Sequence, residues 1–422
     1  MDYVRRHAEP TLDDALAAFR VVVLHGARQS GKTTLARQVA RRQGGSYVTL
    51  DDDATRLAML DDPVAYLSGL RAPAVVDEVQ LGGDRVVRAV KRLVDDSDER
   101  GRFLLTGSTN FLSVPAISES LAGRARILRL FPFAQAELSG RAPIDLASWF
   151  DNCEVGPPSE TEDRTQYMHR LCRGGFPEAV GLTPQQRQGW YDSYLETVIQ
   201  RDISELGDIR RAEALVDLTR WLAANTAAEL NTEAVCRQLG IDRSTFSHYF
   251  AWLRTVFMIN SVPAWSRKHA SRAVRRPKSH FADTGMAAAL LGVSAEALAS
   301  PTSTVAGSLL ESFVVNELTR ETSGLAGLRV HHLRDYDGHE VDIVLERADS
   351  AVAAIEVKAT SSPSEHHLKP LRWLRDRLDR TAPGMLRICV LLHTGPHCHR
   401  VGDRLWLAPI NTLWASQSLD RS

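Results

Sequence analysis

A chain of 422 residues is too long for one comfortable core and predicts roughly two to four domains. Its composition, 44% hydrophobic and 24% charged, is that of a packed globular protein and excludes disorder on a large scale. The net charge of −1 excludes a general attraction to nucleic acid, so any such binding needs a local basic patch, and no apolar run approaches the ~18 residues of a membrane span.

The first residues, MDYVRRHAEPTLDD, carry charges where a signal peptide needs an apolar stretch, so a cytoplasmic protein is expected. Arg20-Val21-Val22-Val23-Leu24 is too short for a helix and suits a strand buried on both faces. It ends at Gly26-Ala27-Arg28-Gln29-Ser30-Gly31-Lys32-Thr33, which fits GxxxxGK[ST], and Thr33 to Arg42 continues with helical spacing of Leu35 and Val39. Strand, glycine loop and helix form a phosphate cradle, with Gly26 to Thr34 binding ATP, Lys32 reaching the β and γ phosphates and the Thr33 hydroxyl ligating Mg²⁺. Tyr47 to Leu50 reads as the second strand. Ala74-Val75-Val76-Asp77-Glu78 is an apolar strand ending in two carboxylates, where Asp77 suits Mg²⁺ and Glu78 suits polarising the attacking water. Phe103 to Ser108 is a further strand that brings Thr106 or Ser108 toward the γ-phosphate, and Arg124 and Arg126 precede the strand Ile127 to Leu130.

In this order of features, residues 20–140 resemble the AAA+ ATPases. The resemblance implies Ser108 as the polar sensor and Arg124 as an arginine finger offered to a neighbouring subunit, hence a homo-oligomer. The stretches Leu171 to Val180 and Tyr194 to Ile203 resemble a bacterial and archaeal subset of AAA-type ATPases that carries a C-terminal domain of unknown function.

Asp151 to Thr165 is polar, has two prolines and no periodicity, and reads as a linker. Helices are predicted at Leu215 to Ala223, Thr232 to Leu239 and Ser244 to Val256, with a turn at Gly240-Ile241 and wing strands from Met258 to Trp265, a winged helix-turn-helix pattern. Arg243, Ser244, Thr245, His248 and Arg254 on the third helix are candidates for DNA contact, and Arg267, Lys268, Arg272, Arg275, Arg276 and Lys278 follow with no acidic residue among them.

Leu309 to Leu318 is helical and carries Glu311; strands follow at Leu328 to Leu333, Glu340 to Glu346 and Ala351 to Ala359. Val341, Ile343 and Leu345 are expected on one face with Asp342 opposite, and Ile355 and Val357 oppose Glu356 and Lys358. Asp342 faces Glu356 only if the hairpin is centred on Asp349, which requires a loop of three or five residues. Glu311, Asp342 and Glu356-Val357-Lys358 resemble the PD-(D/E)xK phosphodiesterases, with Val341 in place of the nominal proline. That resemblance implies Mg²⁺ held by Asp342 and Glu356 and water positioned by Lys358. The five scattered cysteines predict reduced thiols, and His393, His397, Cys398 and His399 a loop.

The expected fold is α/β: an AAA+-like P-loop domain (1–148), a linker and helical lid (149–210), a winged helix (211–290) and a PD-(D/E)xK-like α/β domain (300–422). The expected function is Mg²⁺-dependent ATP hydrolysis coupled to DNA binding or cleavage. The alternative is a nucleotide-dependent switch, binding nucleic acid or protein, that cuts nothing.

Overall fold

The computed structural model describes residues 3–108, 121–204, 212–268, 272, 275–325 and 327–415. Helix α1 (Ala8–Ala18) leads into β1 (Val21–His25), α2 (Lys32–Gln43), β2 (Tyr47–Thr49), β3 (Ala74–Asp77), α3 (Gly83–Asp95), β4 (Phe103–Gly107) and β5 (Ala125–Arg129). The five strands form one sheet in the order β2-β3-β4-β1-β5, parallel throughout. Both faces are covered, which is why β1 shows no polar alternation. Val22 and Leu24 pack with Leu12 and Leu16 of α1 and Leu35 and Val39 of α2, while Val21 and Val23 pack with Val86, Val90 and Val94 of α3. Parallel pairing brings the C-terminal ends of β1, β3 and β4 to one edge, so Gly26, Asp77 and Ser108 share it.

Helix α4 (Leu146–Asp151) buries Trp149 and Phe150 in the same core as the C-terminal strands. Helices α5 (Pro184–Thr197), α6 (Ala212–Ala224), α7 (Thr232–Leu239) and α8 (Arg243–Thr255) follow. Asn231 caps α7 by accepting from Ala234 N–H, Gly240 ends it in the left-handed conformation (φ 62°), and Asp242 caps α8 through Thr245 N–H. A three-stranded antiparallel sheet, β6 (Ala228–Glu229), β7 (Ile259–Val262) and β8 (Lys278–Phe281), is ordered β6-β8-β7. The sequence placed all the wing strands within Met258 to Trp265; only β7 lies there. Pro263 has no N–H to continue the ladder, and its carbonyl instead accepts from His332 N–H, so the chain leaves the sheet before returning as β8.

The C-terminal part begins with the 18-residue helix α9 (Ala306–Ser323). Six strands follow, β9 (Arg329–Arg334), β10 (Glu340–Glu346), β11 (Val352–Lys358), β12 (Leu386–His393), β13 (His399–Gly402) and β14 (Leu405–Pro409), in the order β13-β14-β12-β11-β10-β9. Helix α9 covers one face and α10 (Lys369–Thr381) the other. Pairs from Ile343–Ile355 to Glu346–Val352 centre the β10–β11 hairpin on Asp349 with residues 347–351 as its loop, the odd loop that sets Asp342 opposite Glu356. One expectation about faces fails. An irregularity against β9 between Val341 and Val344 turns Val341 into the core under α10, while Ile343 and Leu345 stay in the core under α9.

Candidate nucleotide site and carboxylate–lysine cluster

Gly26 to Gly31 pass from β1 to α2 in a turn that needs glycine at both ends. A Cβ on Gly26 would lie 2.1 Å from the Leu130 carbonyl oxygen, and Gly31 has φ 96°. Lys32 is buried and its ammonium donates to the carbonyls of Gly26 (3.0 Å) and Ala27 (2.8 Å). Burial pushes its pKa down to about 8 against the opposing pull of Glu78 and Asp77. The Ser30 hydroxyl is buried with no hydrogen-bond partner among the described residues. Thr33 is half-buried and Thr34 exposed on the first turn of α2.

At the end of β3, Asp77 is buried and accepts from Thr106 Oγ1 and from the Tyr47 hydroxyl (2.7 Å). Glu78 takes the left-handed conformation (φ 52°) and accepts from Gln80 Nε2, which lies 3.4 Å from Ser108 Oγ. The loop itself is held from outside the sheet. Arg6, buried, donates to the Ser30 carbonyl (2.9 Å), the Phe131 carbonyl (2.6 Å) and Glu137 (3.1 Å). Arg28 grips Asp202 through Nε and Nη2, both at 3.2 Å, and the Tyr194 hydroxyl donates to the Arg28 carbonyl. Sequence reasoning missed Arg6, Tyr47, Tyr194 and Asp202, since nothing in the local pattern marks a partner so distant along the chain, and Gln80, which lies only two residues beyond Glu78 and carries no motif of its own. Arg124 sits at the N-terminal edge of the sheet, the edge opposite the P-loop, in an exposed ion pair with Asp95 at 2.5 Å.

The C-terminal residues converge. Asp342 accepts from Val357 N–H (2.9 Å) and lies 3.6 Å from the Lys358 ammonium, which donates to Glu356 (2.6 Å). From β8, Lys278 reaches Glu311 of α9 (2.8 Å), Glu340 (2.6 Å) and Asp342 (3.9 Å). Lys278 is only 1% exposed, so it does not belong to the basic surface run in which the sequence placed it; Arg272 of that run is likewise occupied, by Glu346 at 2.6 Å. The cluster holds four carboxylates (Glu311, Glu340, Asp342, Glu356) against two ammonium groups (Lys278, Lys358). Burial, and then the Asp342 charge, push both Glu311 and Glu356 above the ordinary glutamate range. Burial works against the charged form of Lys278, but Glu311, Asp342 and Glu340 outweigh it and hold the amine above the ordinary lysine range. Glu356 Oε2 is buried without a partner among the described residues.

On α8, Arg243 is paired with Glu233 (2.7 Å), Thr245 donates to Asp242 and His248 stacks on Trp252. Arg254 is exposed and lines a cavity beside β5. No helix among the described residues is long and apolar enough to cross a membrane.

The strand order, the phosphate cradle and the acidic end of β3 define a P-loop nucleotide-binding domain. Residues 18–139 match the family model described as an AAA domain, which makes this part an AAA-type P-loop ATPase domain. Residues 164–297 and 306–413 match two families described as domains of unknown function, DUF8612 and DUF4143. Over 420 residues the chain is 29% identical to the uncharacterized proteins Mb2031c of Mycobacterium bovis and Rv2008c of Mycobacterium tuberculosis, covering 99% of this chain and 86% of each relative. Among solved structures, the Walker-type ATPase PABY2304 of Pyrococcus abyssi has 16% identity and a TM-score of 0.40, over 69% of this chain and 96% of that one. The Holliday junction branch migration motor RuvB of Thermotoga maritima has 20% identity and a TM-score of 0.30, over 61% and 89%.

Proposed function

We propose that this chain hydrolyses ATP with Mg²⁺ at the P-loop and that its nucleotide state governs a DNA-directed phosphodiester site at Glu311, Asp342, Glu356 and Lys358. The P-loop fits a triphosphate: among the described residues Ser30 Oγ is buried without a partner, and Lys32 is bonded only to carbonyls that a phosphate can replace. Lys32 and the loop N–H groups bind the β and γ phosphates, Thr33 and Asp77 hold Mg²⁺, and Glu78 accepts the hydrogen bond of the attacking water with Gln80 and Ser108 beside it. Mg²⁺, when bound, neutralises charge on the phosphate oxygens.

The observation that carries the second half is the convergence of four carboxylates on two ammonium groups, with Glu356 Oε2 buried and unpartnered among the described residues. Hard oxygen donors that outnumber the ammonium groups beside them suit a divalent cation such as Mg²⁺, and Lys358 is within reach to orient water, as in PD-(D/E)xK enzymes. The three helices α6 to α8 with β6 to β8 act in this scheme as a winged helix. Mg²⁺- or Mn²⁺-dependent DNA cleavage, abolished in Asp342→Ala and Lys358→Ala, is the expected result; intact DNA with single-stranded, duplex and branched substrates rejects it. Lys32→Ala is expected to abolish ATP binding, and unchanged turnover removes the ATPase assignment itself.

One observation favours the non-catalytic alternative. Lys278 already places a fixed positive charge among Glu311, Glu340 and Asp342, as a metal-free cluster would. In that case nucleotide-dependent, salt-sensitive binding of nucleic acid or a protein partner persists in the Asp342→Ala variant. Arg124, on the edge away from its own P-loop, serves a neighbouring subunit in a homo-oligomer; turnover per subunit then rises with protein concentration, and concentration-independent turnover rejects that role.

A further inference from the structure

A cavity of about 720 Å³ opens behind the P-loop strand, where β1 and β5, α8 and β7, and the C-terminal end of α9 with β9 come together. Its ionisable lining is His25, Arg129, Arg254, Arg329 and His331, with no carboxylate, in a chain whose Lys+Arg (51) and Asp+Glu (52) nearly balance. Arg129 forms the floor. Its guanidinium lies over the rings of Phe131 (4.3 Å) and Phe257 (4.8 Å) and donates to Asn260 Oδ1 (2.8 Å), while Nε is buried with no partner among the described residues. Burial, with Arg320 nearby, lowers its pKa to about 9, so it is still charged at neutral pH, and no acidic group among the described residues offsets it. A half-buried cation met by ring faces and one amide oxygen retains unmet demand for an anion. Arg254 and Arg329 stand exposed at the rim, and Phe257 is held at φ 62°, a backbone conformation that aromatic residues rarely adopt.

We propose that this cavity is a second anion site, separate from the P-loop, that takes phosphate esters. Three arginines spread across the space match several phosphates rather than one carboxylate, and the planar guanidinium fork suits phosphate oxygens. The volume falls within the roughly 300–1,000 Å³ of small-ligand sites. The phosphates belong either to a free nucleotide or to a nucleic-acid strand. His25, one residue before Gly26, packs edge-on against Phe257 at 5.2 Å, so an occupant touches the strand that leads into the P-loop.

The test is binding alone and is independent of any cleavage at Asp342 and Glu356. Full-length protein carrying Lys32→Ala, which silences the P-loop, is titrated at low salt with tripolyphosphate and with a labelled 15-nucleotide oligothymidylate. At least one probe binds, and Arg254→Gln with Arg329→Gln weakens it tenfold or more, while Arg41→Gln with Arg380→Gln, which removes the same charge outside the cavity, changes it less than twofold. Among the described residues Arg254 and Arg329 make no ion pair, so the thermal midpoint of their double variant stays at the parent value. Tripolyphosphate binding alone identifies a free nucleotide as the source, and oligonucleotide binding alone a strand. Binding of neither probe, or equal weakening by both pairs of substitutions, overturns the proposal.

Discussion

Replacing Lys278 with methionine removes one of two positive charges from the C-terminal cluster and keeps most of the volume. In the parent, the ammonium stands 2.8 Å from Glu311 and 2.6 Å from Glu340, and it is buried. Removing one partner of a buried charge pair costs about 3–5 kcal/mol, because the remaining carboxylates stay desolvated and unpaired. That corresponds to a drop of roughly 10 °C in thermal midpoint for a unit of about 150–250 residues. The loss depends on pH. Glu311 and Glu356 have folded pKa values raised above 4.5, so above that pH the folded state binds more protons than the unfolded chain and stability falls as pH rises through the folded values. Lys278→Met steepens this fall, so the variant is close to the parent at pH 5 and far below it at pH 8. A divalent cation restores what the ammonium supplied: millimolar Mg²⁺ or Mn²⁺ raises the variant's midpoint more than the parent's, the stabilisation reaching about 2.7 kcal/mol at a hundred times the dissociation constant. Differential scanning fluorimetry across pH, with and without cation, reads all three effects. A variant with the parent's pH profile and no cation response refutes the charge argument.

Three further outcomes follow from other parts of the molecule. Glu78→Gln keeps nucleotide affinity but lowers phosphate release by about 10²–10⁴-fold, the usual share of a positioned general base; retained turnover dismisses Glu78 from that role. Asp202→Asn weakens the grip on Arg28, so amide exchange from Gly26 to Ser30 quickens and the KM for ATP rises severalfold, whereas unchanged exchange means that the pair does not hold the loop. His393 is buried, accepts from Gly395 N–H at Nδ1 and lies 3.1 Å from the His397 carbonyl at Nε2, an arrangement that needs the neutral ring. Burial lowers its pKa from 6.5 to about 4, so its contribution is complete above pH 6.5 and is lost as pH falls toward 4, about 3 kcal/mol in all. His393→Gln flattens that part of the urea-denaturation profile, and an unaltered acid limb argues against it.

What could be read in the sequence was whatever short stretches constrain by themselves. Eight residues of P-loop and their flanks specify a strand, a turn and a helix N-terminus, because the glycines and the lysine act within one backbone turn. The β10–β11 hairpin was legible as arithmetic, since alternation and loop parity leave one register that sets Asp342 opposite Glu356. Lys278 was not legible. It lies 33 residues from Glu311 in a run of basic residues, and only the docking of β8 beside α9 turns it inward. The Arg28–Asp202 pair spans 174 residues and leaves no periodic trace. The kink at Val341 was hidden for another reason: an irregularity in strand pairing changes which face a residue occupies without changing the hydrophobic pattern that predicts it.

Helix α9 bears on both ends of the molecule at once. Glu311 near its start meets Lys278, while farther along Glu317 accepts from Gln135 N–H (2.7 Å), Arg320 donates to the Phe133 carbonyl (3.0 Å) and Glu321 meets His7 (2.9 Å). Six residues of helix, about 9 Å of rise, separate Glu311 from Glu317. A continuous α-helix is stiff over that length, so it behaves as a push-rod. Residues 133–135 cannot shift along its axis without carrying Glu311 by a similar amount, and a one-ångström stroke is already comparable to the tolerance of a hydrogen bond to Lys278.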